Sequence, residues 1–522
     1  MRADDGAAPL VIGRPLSSAC GTDETEQLHA ADATTRRRLL HSARGTFCLV
    51  RHTRGDAVEL AADKLAALPL LYGHHEGVWY ASNSLRALVA ACPPLAQHGD
   101  LAGQAQLAAL GFNLGERTAY ARVRCVAAGA IVRLGPDGSL SRSSYHDWRD
   151  DAPAAPASLA QLHRAFIDGV RLRLSQPTPA ALAYLSGGLD SRCVVAALAD
   201  CGRIVHSVNF APAGSADLVL ARAVAQAFSA SHFEADCAGD FWQRSVDAYR
   251  QLADRIDAAH RPSPPAIWTG FGGESVLAPT NLTEPMVRAL RGGRRDAALQ
   301  AYFERVGGGL PLRAFRPEHR PALVQALRDS LYEALDACAG DDPALAFHRY
   351  LMTNEIRGNL QPHFEHFAQR ALDFELPFLD AEFVRLALSL PVDGLLGHRA
   401  YYDWLACFAA PVAQLPWQAY PWSLPCPHPM PEGLRSQWGQ GEGWLDAAGA
   451  REEKRRLLDD VAAALARSDF PGRLIDRTNI RAAYWLARLG IDRYAYLLQT
   501  ARRLTPVAAR DCVAGAAQGA SA

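Results

Sequence analysis

The run Ala181-Leu-Ala-Tyr-Leu185-Ser186-Gly187-Gly188-Leu189-Asp190-Ser191 leaves this chain few folds to choose from. A short apolar stretch ends in two adjacent glycines, and Arg192 to Ala199 follows with apolar residues at helical spacing. That order reads as a buried strand, a tight turn and a helix. The unit recurs: Val205-His-Ser-Val-Asn-Phe210 reads as a second strand, and Ala216 to Phe228 as a second helix. Leu159 to Leu174 supplies a helix in front. Strands that alternate with helices predict a parallel sheet covered by helices.

The turn between the first strand and its helix has its own chemistry. Two glycines let the backbone bend sharply and approach a ligand closely. N–H groups at the helix start converge on one spot, where the helix dipole favours an anion. Ser186 and Ser191 add hydroxyl donors, so a phosphate or pyrophosphate is the expected ligand. Asp190 would repel that anion unless a cation stood between them, which makes it a natural Mg²⁺ ligand.

Composition sets limits on the rest. Lys plus Arg number 54 and Asp plus Glu 55, for a formal net charge of −1. A neutral chain argues against broad nucleic-acid or anionic-membrane binding, because both need a basic face. No apolar run reaches the 18 or so residues of a membrane span. Eleven cysteines occur without a C-x-x-C pair, which argues against a disulfide scaffold or a zinc site. Reduced thiols and an acidic start, Met-Arg-Ala-Asp-Asp-Gly, predict a cytoplasmic protein. Lys64 and Lys454 are the chain's two lysines.

Residues 1–150 read as β-rich, with strands expected at Gly45–Val50, Gly77–Ala81 and Ala130–Leu134, the last ended by the turn Gly135-Pro-Asp-Gly138. The stretch from Asp150 to Pro156 reads as a linker. A second domain spans 151–510 and is mostly helical from about 285, and 511–522 reads as a disordered tail.

The string Ser186-Gly-Gly-Leu-Asp-Ser191 resembles the pyrophosphate loop of ATP pyrophosphatases, in the form found in asparagine synthetases, β-lactam synthetases and lasso peptide cyclases. Further stretches are similar to that family, in order. Ser207-Val208-Asn-Phe210 sits where the family's second strand meets adenosine. Asp217, Ala221, Ala225 and His232 resemble the helix and strand that follow. Thr269-Gly270-Phe271-Gly272-Gly273-Glu274-Ser275 resembles the second phosphate and metal loop, usually S-G-x-G-x-D-E. Leu372-Asp-Phe-Glu-Leu-Pro-Phe-Leu-Asp380 resembles L-E-x-R-x-P-F-L-D. Gly45-Thr-Phe47, Asp63, Leu68–Tyr72, Ala81–Leu88, Thr118–Tyr120 and Ala128-Gly129 resemble the amidotransferase half, so the likeness runs to about residue 420.

The resemblance implies an α/β chain, α+β overall. An N-terminal antiparallel β-sandwich of the Ntn-hydrolase type, degenerate and amidotransferase-like, would fill 1–150. A helix-rich, parallel-sheet ATP pyrophosphatase synthetase domain, adenine nucleotide α-hydrolase-like, would fill 151–510. It implies ATP and pyrophosphate contacts from Leu185, Ser186, Gly187, Gly188, Leu189, Asp190, Ser191, Val208, Gly270, Phe271, Gly272 and Gly273, with Mg²⁺ on Asp190 and Glu274.

Departures from the pattern narrow the activity. The family's glutaminase nucleophile is an N-terminal cysteine, but residue 2 is Arg and the first cysteine is Cys20, so no glutaminase activity is expected. Glu274 stands where Asp is usual and Phe271 where β-lactam synthetases carry a catalytic Tyr. Asp373 replaces the general-base Glu, and Glu375 replaces an Arg and is a candidate to supply the carboxylate that Asp373 is too short to deliver. The family's late lysine, after a Leu-Pro pair, is missing after Leu415-Pro416; Arg399 is a candidate substitute. Arg288, Arg291, Arg294 and Arg295 form a basic cluster, and Trp417, Tyr420 and Trp422 an aromatic one, candidates for a peptide groove.

The family's chemistry is carboxylate activation: ATP adenylates a carboxyl, pyrophosphate leaves, an amine attacks and AMP departs. Three readings follow. The first is a lasso peptide cyclase, joining the N-terminal amine of a precursor peptide to an Asp or Glu side chain, with a leader peptidase as a further partner. The second is a β-lactam synthetase-like or ammonia-dependent asparagine synthetase-like enzyme. The third is a non-catalytic scaffold that binds a nucleotide or peptide.

Overall fold

In the computed structural model, the structure describes residues 10–17, 27–28, 31–53, 55–151, 153, 155–174, 179–211, 214–235, 241–257, 265–367, 372–418, 424–434, 447–467 and 470–505. The expected tail at 511–522, and Tyr420 and Trp422, lie outside these residues. Among the described residues no helix is long and apolar enough to cross a membrane.

The N-terminal 150 residues form two antiparallel sheets. The first comprises β1 (Leu10–Gly13), β2 (Phe47–His52), β3 (Val58–Ala62), β7 (Ala130–Leu134) and β8 (Leu140–Ser144), in that order. The second sets β4 (Leu71–His75) between β5 (Val78–Ser82) and β6 (Val123–Cys125). Period-2 alternation explains β7: Ala130, Val132 and Leu134 are buried while Arg133 faces solvent. They join Cys48, Leu60 and Tyr72 in one apolar core. Asp63 organises the exit from β3, accepting backbone N–H bonds from Phe47, Leu65, Ala67 and Leu68. Burial pushes its carboxyl up to about 6.

A parallel sheet follows, in the order β11 (Ser231–Glu234), β10 (Ile204–Asn209), β9 (Ala180–Tyr184), β12 (Ala266–Trp268), β13 (Asp373–Glu375). From β9 the chain runs outward through β10 and β11, then returns to add β12 and β13 on the other side. The strand order therefore reverses between β9 and β12. In open α/β sheets the crevice outside the carboxyl ends of the strands at such a point is where ligands bind.

The helix Leu159–Arg173, opened by a Ser158–Gln161 capping box, covers one face. Its Phe166 ring lies 4.7 Å from Phe378 and 5.3 Å from Trp404. A second apolar core joins helices drawn from 284–350 and 457–504 with Ala105 to Leu114 of the N-terminal domain. Between the helices Pro343–Tyr350 and Ile356–Phe367, which pack in the second and the first core, Leu351–Glu355 forms one π-helical turn. Such turns re-aim side chains: Asn354 Oδ1 accepts the Gly115 N–H at 2.8 Å, and Glu355 accepts from the Tyr302 hydroxyl at 2.7 Å and from the Asn281 amide.

A charge cluster fastens the two domains. Asp380, fully buried, accepts from Arg44 at 2.7 Å and Arg173 at 2.9 Å, and caps the helix Ala381–Ala387 at Glu382 and Phe383. Arg14, at the end of β1, bonds Glu375 at 2.7 Å and the Arg173 carbonyl at 2.9 Å. Removing a partner from a buried pair strands the remaining charge. Asp380→Ala should therefore cost about 3–5 kcal/mol of stability, read by urea denaturation, and more than Glu382→Ala on the more exposed side of the same helix.

Candidate active site

Two glycine-rich loops meet at the reversal point. The first leaves β9 and enters the helix Asp190–Asp200; the second leaves β12 and enters the short helix Gly273–Leu277. Their contact is backbone to backbone. A Cβ on Gly270 would stand 2.5 Å from the Asp190 carbonyl carbon and from the Ser191 nitrogen, and one on Gly273 2.6 Å from Asp190 Oδ1. Gly272, at φ +93°, turns the chain into the short helix. Glycine is required here for approach and turn, and the result places Glu274 beside Asp190: the Glu274 N–H donates to Asp190 Oδ2 at 3.2 Å.

Part of the first loop is already hydrogen-bonded within the protein. The Ser186 N–H donates to Ser191 Oγ at 2.9 Å, Gly187 to Asp217 Oδ1 at 2.9 Å and Gly188 to Ser186 Oγ at 3.3 Å. The sequence assigns anion binding to the N–H groups at the helix start, and the geometry leaves the first turn of the helix, from Asp190 on, and the Ser186 hydroxyl for that task. Ser186 and Ser191 hydroxyls lie 2.9 Å apart.

Asp217 is the brace. Buried near the start of the helix Ala216–Ala227, it accepts from Gly187, from the Asn209 amide at 2.8 Å and from the Gln418 amide at 3.1 Å. Arg192 works from beneath. Its side chain is fully buried and donates to the carbonyls of Gly188, Gly187, Leu415 and Pro416 at 2.9–3.3 Å. Burial lowers its guanidinium to about 10, so it stays charged at neutral pH. The Leu415-Pro416 pair, which the resemblance places before a lysine, thus does reach the loop. The residues that follow are the buried Trp417 and the half-buried, uncharged Gln418, whose backbone N–H donates to the Gly187 carbonyl at 3.2 Å.

Other predicted residues lie elsewhere. Arg399 is exposed at the start of the helix Arg399–Leu405, and its neighbour Tyr401 is the one that enters the site, donating to Asp190 Oδ1 at 2.6 Å. Val208 is buried inside the sheet, and its carbonyl accepts from Leu185. Leu185 and Leu189 are core residues. Phe271 packs its ring 5.5 Å from His363.

Glu375 and Asp373 share one face of β13, and Glu375 points to Arg14 and to Arg173, 3.8 Å away, inside the domain junction. With Arg14, Thr46 and Arg173 they line a small polar cavity. Glu375 is therefore engaged as a counter-ion, not poised as the substitute base that the sequence suggested. Lys454 pairs with Asp492 at 2.8 Å. Arg288, Arg291 and Arg295 pair with Glu284, with Asp342 and Asp393, and with Asp336, as solvated helix faces do.

Burial and the Glu274 carboxylate push Asp190 up to about 7, against the pull of the Tyr401 hydroxyl. Two neighbouring carboxylates, hard oxygen donors beside the start of a helix, fit Mg²⁺. A folded-state value above the unfolded one means that ionisation costs stability, and the cost grows as pH rises from about 4 through 7. Ligand-free Asp190→Asn should therefore be more stable than the parent chain at pH 8, by on the order of 2 kcal/mol, and the gap should narrow at pH 5 in thermal melts.

Residues 161–264 match the family model described as asparagine synthase. The match takes in the first loop, Asp217 and strands β9 to β11, and it stops short of the second loop. No curated protein matches the chain. The segment that builds half of the site is thus similar to a family of ATP-dependent amide-forming ligases.

Proposed function

We propose that this chain is an AMP-forming carbon–nitrogen ligase that closes a macrolactam on a ribosomal peptide, as lasso peptide cyclases do. The observation that carries the ligase reading is the contact of the two glycine loops at the strand reversal, with Asp190 and Glu274 side by side. Mg²⁺, held there by both carboxylates, would offset the charge of the nucleotide's phosphates.

The chain's own groups account for the remaining needs. The first turn of the helix Asp190–Asp200 offers its N–H groups and dipole to the pyrophosphate. Ser186 Oγ releases Ser191 to reach the same anion. Asp217 and Arg192 hold the loop from opposite sides, so the donors are set before ATP arrives. Tyr401 orients Asp190. The substrate carboxylate attacks the α-phosphorus, pyrophosphate leaves, and an amine then attacks the acyl-adenylate and expels AMP.

Peptide closure is favoured over the other amide-forming options by what the site lacks. Phe271 has no hydroxyl for a tyrosine-based dyad, and Glu375 is bound to arginines. A site with few proton-transfer groups suits a reaction whose barrier falls mainly by holding amine and acyl group on one molecule, worth up to about 7–11 kcal/mol. The partners are then a precursor peptide and a leader peptidase that hands it over.

Purified protein with ATP, Mg²⁺ and leader-free precursor should give a peptide lighter by one water, with AMP and pyrophosphate in equal amount. An Asn or Gln in place of the acceptor Asp or Glu should stop it, because an amide is not adenylated. Asparagine formed from free aspartate and ammonia would replace the cyclase reading with the second one. Gly270→Ala should abolish ATP–pyrophosphate exchange while the protein stays folded; undiminished exchange would overturn the placement of the site.

A further inference from the structure

We propose that His41, His146 and Asp151 form a binding site for a divalent transition-metal ion of the Zn²⁺ type, at the junction of the two domains and apart from the nucleotide loops. Each residue offers one ligand atom, and all three atoms lie within 4.8 Å of one another. Two imidazoles and a carboxylate are a donor set for Zn²⁺ and its neighbours, not for Mg²⁺.

His146 points most strongly to a missing ligand. Its residue is 6% exposed, and neither ring nitrogen has a hydrogen-bond partner. Buried polar groups are nearly always paired, so a buried imidazole with two idle nitrogens needs explaining. Nδ1 stands 3.6 Å from Asp151 Oδ2. That is too far for a hydrogen bond. It is close to the about 3.3 Å that separates two ligands on one tetrahedral ion with 2.0–2.1 Å bonds.

The surrounding structure fixes the backbone that carries this imidazole. The His146 backbone N–H donates to the Gly129 carbonyl, and the His146 carbonyl accepts from Ser144 Oγ at 2.7 Å. Gly129, at φ +62°, carries no Cβ that would strike the His146 carbonyl at 2.7 Å. Trp148 packs edge-on, ring centres 4.4 Å apart, and anchors to the Lys64 carbonyl. His41 sits in the last turn of the helix Ala33–Ser42, where exposed carbonyls favour a cation. It is exposed, so its side chain can turn to narrow the widest ligand separation, and solvent can fill the fourth position.

The nearby Lys64 ammonium attracts Asp151 and opposes a cation, so the site should bind more weakly than a four-ligand structural zinc. An ion here would tie the helix Ala33–Ser42 and the exit of β8 to Asp151 at the start of the linker stretch. Trp148, between them, belongs to the core of the synthetase domain.

The test uses the full chain, stripped with a chelator and titrated with Zn²⁺ and with Co²⁺ in excess Mg²⁺, which occupies hard-oxygen sites. One equivalent should bind, with a Co²⁺ spectrum of nitrogen and oxygen ligation and no thiolate charge-transfer band. Zn²⁺ should raise the melting temperature. His41→Ala and Asp151→Asn, at accessible positions that leave the fold intact by circular dichroism, should each weaken binding by at least about tenfold, the loss that even an outer-shell partner brings. They should also abolish the thermal shift. A parent chain that binds no ion would overturn the site. So would unchanged binding in both variants, or a thiolate band from one of the cysteines.

Discussion

Everything the site can do depends on two turns lying against each other with no side chain between them. Gly270 and Gly273 press on the backbone and carboxylate of Asp190, and a single methyl at either would force them apart. The contact exists because β9 and β12 are neighbours in the sheet although nearly ninety residues separate them in sequence. Parallel pairing delivers both turns to the same edge. Close approach then sets Glu274 beside Asp190, and its carboxylate adds to burial in pushing Asp190 up.

Positive charge is distributed differently from what a reader of the motifs would expect. The segment that should carry a lysine docks on the first loop, but presents Trp417 and Gln418. The buried cation at the loop is Arg192, which lies beneath it and spends its donors on five carbonyls. Turning the carbonyls of Gly187 and Gly188 inward exposes less negative dipole to an incoming anion. The guanidinium thus acts on the ligand through backbone orientation and through its buried charge, and it fastens the 412–416 segment in the same stroke.

Much of this was legible in the sequence where the signal was local. The strand, turn and helix around Ser186–Ser191, the helix Leu159–Arg173 and strand β7 follow from periodicity and turn residues within a residue or two of their bounds. Strands β12 and β13 were not read as strands, because three residues are too few to show a period. Tyr401 is not legible as a site residue because its partner Asp190 lies 211 positions away, and Arg192, although it follows the motif directly, reads as an ordinary helix residue because its links to Leu415 and Pro416 span more than 200 positions. Glu375 misled because its composition looks catalytic, whereas its role is set by Arg14, contributed by the other domain. The second loop was recognised as a motif, but its geometry against Asp190 is a property of the sheet.

The charge cluster at the domain junction bears on how such a chain is inherited. Glu375 and Asp380, from the half with the parallel sheet, meet one arginine of their own half and two from the N-terminal half. Cut between the halves, the gene would leave a carboxylate uncompensated in one product and two arginines bare in the other. An N-terminal domain bound this way is held for its charges whether or not it retains any chemistry, because Arg14 and Arg44 complete a buried cluster that the other half cannot balance alone.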